Sequence, residues 1–195
     1  LVAQTSQDPA SQGDIPDMDG GGNNLPLPSV FETEDTTLPV YTPPAGSNIT
    51  MDIRDTPDSG VLSFSEIYEK CIGSVVSISA SNASSISMGT GIIMTEDGYI
   101  ITNNHIIEGG QSLTVTLLDN TEYEAALVGA DSTNDLAVLK IDAQGLSAAE
   151  FGDSDSLKVG DIVAAIGNPT TSEQLRGTMT DGIISAVNRN INIDG

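Results

Sequence analysis

The chain has 195 residues and carries 28 acidic against 6 basic side chains, a formal net charge of −22. A surface of that sign repels nucleic acid and anionic membranes, which excludes both as direct partners. A single cysteine, Cys71, and a single histidine, His105, exclude an internal disulfide, a cysteine-rich zinc site and a multi-histidine metal site, so no metal and no cofactor is expected.

Residues 1–62 read as a disordered acidic linker. Eight of the nine prolines lie between Pro9 and Pro57, ten acids stand against Arg54 alone up to residue 60, and Gly20-Gly21-Gly22 interrupts any period. Such a stretch buries too little apolar surface to offset its chain entropy. The first residues lack the basic start and apolar stretch of a signal peptide. No run of about 18 apolar residues occurs, so no segment is expected to span a bilayer.

Order is expected from Ser63, where Ser63-Phe64-Ser65-Glu66 fits a capping box and Phe64, Ile67, Tyr68 and Cys71 share one face of a short helix. From Gly73 the pattern turns to strands: Ser74–Ala80, Gly89–Met94, Tyr99–Asn103, Leu113–Leu118, Tyr123–Val128 and Leu136–Ile141. The Asp97-Gly98 pair between the second and third is a hairpin signal. Six closely spaced strands with short polar turns predict an all-β fold, a small closed antiparallel barrel or sandwich. Its core candidates are Val76, Ile78, Ile92, Ile101, Val115, Leu117, Val138 and Leu139. Ile162–Gly167 and Thr178–Val187 read as the start of a second β unit with too few strands to close, and so with exposed apolar surface.

Two residues carry the chemistry. His105 follows a strand in Thr102-Asn103-Asn104-His105, and Asp135 begins one in Asn134-Asp135-Leu136. Each alone is more often structural or a turn residue. Together they fit a base and its orienting acid, because a histidine base needs its second ring nitrogen held by a fixed acceptor. Sequence spacing leaves their proximity open.

Residues 63–195 resemble the N-terminal part of a bacterial HtrA/DegP-type serine protease, a branch of the trypsin-like family. The likeness is carried in order by Gly89-Thr90-Gly91-Ile92-Ile93, by Asp97–His105, by Asp135–Ile141, by Gly152–Asp161, by Ile166-Gly167-Asn168-Pro169 and by Gly182–Ala186. The resemblance implies a trypsin-like fold, with a complete first barrel over 63–145 and an incomplete second barrel over 146–195. It implies that His105 is the general base and Asp135 its orienting acid. The family nucleophile is a serine in a Gly-Asn-Ser-Gly-Gly segment, and these 195 residues contain no such segment. Ser154 and Ser156 match the connection between the barrels and Ser185 a strand, so no nucleophile is assigned within the chain.

The function implied is that of a serine endopeptidase cleaving unfolded or misfolded polypeptides in the bacterial cell envelope, with this chain inactive by itself. Members are often tethered by an N-terminal membrane helix through a flexible linker, for which residues 1–62 would serve. Relatives often trimerise through the start of the protease domain, the region of Phe64 and Tyr68, although these side chains also suit packing of the helix onto the barrel. Two other readings remain: a non-catalytic chaperone-like or binding relative, and a β-rich surface module in which His105 and Asp135 lie far apart.

Overall fold

A computed structural model describes residues 38–47, 49, 53–54, 62–168 and 175–187. The linker expectation for residues 1–37 lies outside the described residues. The elements are β1 (Ile53–Arg54), α1 (Phe64–Cys71), β2 (Val75–Ser81), β3 (Ile86–Ile93), β4 (Tyr99–Thr102), α2 (Asn104–Ile107), β5 (Ser112–Thr116), β6 (Glu122–Asp131), β7 (Leu136–Ile141), β8 (Phe151–Gly152), β9 (Ile162–Gly167) and β10 (Thr178–Ile183).

The capping box forms at α1: the Glu66 amide donates to Ser63 Oγ at 3.3 Å and the Ser63 amide to Glu66 Oε2 at 2.7 Å. Ile67, Tyr68 and Cys71 are half-buried on its inner face, whereas Phe64 stays exposed.

Strands β2 to β7 close into one antiparallel barrel in the order β2-β3-β4-β7-β6-β5. The turn between β3 and β4 uses the predicted Asp-Gly pair. Gly98 adopts φ +100°, and a Cβ there would lie 2.5 Å from the Ile141 carbonyl oxygen, so the position demands glycine. Closure removes the barrel's strand edges and gives each strand one inward face.

That face is filled by Val76, Ile78, Ile93, Ile100, Leu113, Val115, Leu139 and Ile141, with Ile106 and Ile107 of α2 plugging one end. Val76, Ile78, Val115 and Leu139 were expected inside. Ile92, Ile101, Val138 and Leu117 were expected there too and are only half-buried. The register pairs Ile92 with Ile101 and Ile101 with Val138 on the outer face, while Ile93, Ile100 and Leu139 line up inside. A slip of one residue exchanges the faces, and paired isoleucines leave alternation undecided.

Residues 38–47 fall within the expected linker, yet they lie along the barrel. Leu38 packs against the core, the Leu127 amide donates to the Pro39 carbonyl at 2.7 Å, and the Tyr41 amide donates to the Leu127 carbonyl at 2.8 Å. This strap meets β6 beside the irregularity between Leu127 and Gly129, where the regular ladder is broken.

Strands β9 and β10 form a separate two-stranded antiparallel sheet, and β1 pairs with β8 in parallel. β10 ends at Ile183, earlier than the expected Val187. Among the described residues, the contacts that tie the β9–β10 unit and its approach to the rest include Lys70 to Glu150 at 2.8 Å, the Ala149 amide to the Ile93 carbonyl at 2.9 Å, Arg176 to Asn120 at 2.5 Å, and the Asn168 amide to Thr90 Oγ1 at 2.8 Å.

Candidate active site

The register of β4 against β7 decides where the two candidate residues meet. Thr102 is paired with Ala137, so the chain leaving β4 and the chain entering β7 emerge at the same rim of the barrel. Beyond Thr102, α2 is a single helical turn. Its Ile106 and Ile107 are buried, and Ile106 sits over Gly89, where a Cβ would lie 2.7 Å from Ile106 Cδ1. The absence of a side chain at Gly89 lets the turn seat deeply, which fixes His105 on its outer side.

Asp135 is placed by a different device. Asp131 accepts the Thr133 and Asn134 amides at 2.9 and 3.2 Å and the Asn134 side-chain amide at 2.6 Å, forming a tight turn after β6. Asp135 then takes a left-handed backbone, φ +53°, and its carboxylate is directed back toward α2.

His105 Nδ1 lies 2.7 Å from Asp135 Oδ2, and the His105 amide donates to Asp135 Oδ1 at 2.9 Å. The Asn103 side-chain amide donates to Asp135 Oδ2 at 3.1 Å and to the Asp135 carbonyl at 3.2 Å. The Asp135 side chain is 13% exposed and that of His105 39%. Burial pushes the Asp135 carboxyl upward, but the amide and ring of His105 and the amide of Asn103 together outweigh it and hold the group below its ordinary value. An ionised Asp135 only accepts, so Nδ1 carries the hydrogen and the lone pair of the neutral ring resides on Nε2. Nε2 has no hydrogen-bond partner among the described residues.

Sequence reasoning named His105 and Asp135 and missed Asn103, which fixes the carboxylate from its second side. The signal was an amide side chain two residues before the histidine. It missed Thr90 as well. The Thr90 carbonyl accepts from Thr102 Oγ1 at 2.8 Å while its hydroxyl accepts from the Asn168 amide, which links the His–Asp rim to the β9–β10 sheet. Ser154, Ser156 and Ser185 lie elsewhere, and no serine hydroxyl among the described residues bonds to His105. No cluster of three metal-ligating side chains occurs among the described residues.

A closed antiparallel barrel with a histidine and an aspartate joined at its rim is an architecture shared with proteolytic enzymes. Residues 89–195, more than half of the chain, match the trypsin-like peptidase domain, and the chain belongs to that family. Its relatives lie in the HtrA/DegP branch. A probable periplasmic serine endoprotease DegP-like of Halomonas elongata is 50% identical over 105 residues, which are 54% of this chain and 22% of that protein. Its counterpart in Rickettsia prowazekii is 47% identical over 116 residues, 59% of this chain and 22% of that one. Among solved structures, the HtrA-type protease AlgW with tripeptide is 40% identical with a TM-score of 0.61, covering 66% of this chain and 42% of that one. The serine endoprotease from Yersinia pestis is 37% identical with a TM-score of 0.58, covering 66% and 46%. The chain thus spans about a fifth of the length of these curated relatives.

Proposed function

We propose that this chain supplies the base and orienting acid of an HtrA/DegP-type serine endopeptidase. The observation that carries the reading is the 2.7 Å contact between His105 Nδ1 and Asp135 Oδ2, which leaves Nε2 open on a half-exposed ring. In this reading Nε2 takes the proton of a serine hydroxyl as the serine oxygen attacks a peptide carbonyl. It then returns that proton to the departing amine, and water releases the acyl group by the same exchange. Asp135 holds the tautomer and stabilises the imidazolium that forms between the two steps. The serine is supplied by residues other than these 195, so the chain by itself does not hydrolyse peptide bonds.

The substrates proposed are unfolded or misfolded polypeptides. The location proposed is extracytoplasmic, in the cell envelope, because the relatives are named periplasmic endoproteases. An upstream membrane anchor joined through an acidic linker and a homotrimer formed around exposed Phe64 complete the reading. The division proposed is a first barrel over 63–145 and a second unit over 146–195, preceded by a linker whose expected extent was 1–62. The hydrogen bonds of Pro39 and Tyr41 argue for ending the linker nearer residue 37.

The test is proteolysis of an unfolded protein such as reduced casein by the full-length protein. His105→Ala is expected to lower the rate by about 10³-fold or more. Equal rates for parent and variant would overturn the assignment, and so would cleavage by the 195-residue chain alone.

A further inference from the structure

The rim opposite the His–Asp pair holds a cavity of about 570 Å³, whose lining includes Tyr41, Ile49, Thr95, Asp97 and Tyr99. It lies at the far end of the same two strands: Tyr99 pairs with Lys140 at this end of β4 and β7, and Thr102 with Ala137 at the other. One wall is the strap that runs along β6, and the other is the turn between β3 and β4. Tyr41 meets Tyr99 edge to face, with ring centroids 6.2 Å apart.

The charged groups here are unequally committed. Lys140 Nζ donates to the carbonyls of Asp97 and Ile141, each at 2.6 Å, and sits 5.7 and 5.4 Å from the centroids of Tyr41 and Tyr99. Its ammonium is occupied, so it offers little to an anion. Asp97 uses Oδ1 to accept from Thr95 Oγ1 at 2.5 Å, whereas its Oδ2 has no donor among the described residues. The buried Tyr99 phenol is pushed up, first by desolvation, then by Tyr41, and further by the charge of Asp97.

We propose that this cavity binds the guanidinium group of an arginine side chain on a polypeptide. The planar fork presents paired N–H donors to a carboxylate and stacks on aromatic rings, and it sheds water more readily than an ammonium does. The chain's charge of −22 draws basic segments toward the surface. Asp97 and the two tyrosines then select among them. The site is independent of the His–Asp chemistry and belongs to the 195-residue chain itself.

The test is amide NMR of the 195-residue chain titrated with the peptides Gly-Arg-Gly, Gly-Lys-Gly and the citrulline analogue of the first. Saturable shifts are expected at Asp97, Gly98, Tyr99 and Tyr41. The lysine and citrulline peptides, and Asp97→Asn with the arginine peptide, should each bind about tenfold more weakly, the loss of one charge-assisted contact. Glu96→Gln, which removes an exposed neighbouring charge, should bind within about twofold of the parent. Equal binding of the citrulline or lysine peptide, or equal losses for Glu96→Gln and Asp97→Asn, would overturn the proposal. Should Asp97→Asn loosen the turn, seen as lost dispersion at Tyr99, Tyr41→Ala decides. A loss of about fivefold or more sustains the site, and a smaller one overturns it.

Discussion

The six-stranded barrel and β9 are built from similar apolar strand sequences, Ile-Val-Ala-Ala-Ile in β9, whereas β10 is Thr-Met-Thr-Asp-Gly-Ile, and the two regions differ sharply in burial. Ile78, Ile100, Val115 and Leu139 are wholly shielded inside the barrel. Ile162 and Ile183, paired directly across the smaller sheet, are 73% and 60% exposed, and on β9 only Ile166 is deeply buried. β9 shares the barrel's hydrophobicity, and only the barrel is closed. Six strands curl until every inward face has a facing partner, whereas two strands offer each side chain one neighbour and leave the rest to solvent. The His–Asp pair stands on the rim of the closed region, where neighbouring strands on both sides fix the ends of β4 and β7.

The widest separation between the regions should appear on truncating a side chain in each. Leu139→Ala removes a fully buried group and is expected to cost about 2–5 kcal/mol. Ile183→Ala, at an exposed position, should cost less than about 0.5 kcal/mol. Urea denaturation of both variants checks this. Equal costs would mean that the β10 face is covered in solution, and the contrast would fail.

Glycines give a second contrast of intermediate size. A Cβ at Gly89 meets Ile106 at 2.7–3.2 Å, and one at Gly182 meets nothing within 4 Å. Gly89→Ala should therefore cost about 1–3 kcal/mol and displace the turn that carries His105. Gly182→Ala should fall within about 0.5 kcal/mol of the parent. Thermal unfolding gives the stabilities, and the His105 ring resonances report the displacement. A silent Gly89→Ala would show that Ile106 does not hold the turn.

A smaller effect is expected where the regions join. Thr90→Val keeps the shape of the side chain but removes the acceptor for the Asn168 amide. A loss of about 1 kcal/mol is expected, with faster hydrogen exchange at Asn168 and at Gly177, whose amide bonds to Asn168 Oδ1 at 2.7 Å. Exchange inside the barrel, as at Val115, should hold. Acceleration at both places would make barrel and sheet one cooperative unit.

The sequence made the strands, the Asp-Gly turn and the capping box legible because each rests on local chemistry. Register was legible only where apolar and polar residues alternate, as around Val76 and Ile78. At Ile92-Ile93, Ile100-Ile101 and Val138-Leu139 both faces are apolar, so only the ladder itself decides which side chain turns inward. The strap at 38–47 was hidden by its composition. Its prolines and the acids before it mark a stretch that cannot support a core, yet Leu38 and Tyr41 need only two backbone hydrogen bonds at the β6 irregularity to settle. His105 and Asp135 were named through the order of motifs rather than through their spacing, since a sequence separation of 30 says nothing of distance. Asn103 was passed over because an amide has no charge to draw attention, although its role is to fix the charge next to it.

The smallest effect concerns acid. Asp135 is held below its ordinary value of 3.8 in the folded chain, so its contribution to stability is complete once the pH exceeds that value. As pH falls, the unfolded chain takes up the proton first. The contribution is lost progressively until the folded carboxyl is protonated as well, below which nothing further is lost. Glu66, Asp119 and Asp131 are also held low by hydrogen bonds at exposed positions, so the parent's acid sensitivity alone does not isolate Asp135. The informative quantity is the stability difference between the parent and Asp135→Asn. It should shrink between pH 5 and pH 3 by less than about 1 kcal/mol, the linkage of one carboxyl held below its ordinary value against a side chain that does not titrate. The asparagine oxygen can accept the His105 amide, while its NH2 group replaces the oxygen that accepts from Nδ1 and Asn103 and adds a pH-independent loss. Amide exchange adds the spatial resolution. Acid should loosen His105, whose amide bonds to Asp135 Oδ1, and spare Gly177, whose amide is held by an asparagine that does not titrate. If both loosen over the same pH range, the rim and the β9–β10 sheet share one transition, and the independence of the closed barrel from its two-stranded neighbour is lost.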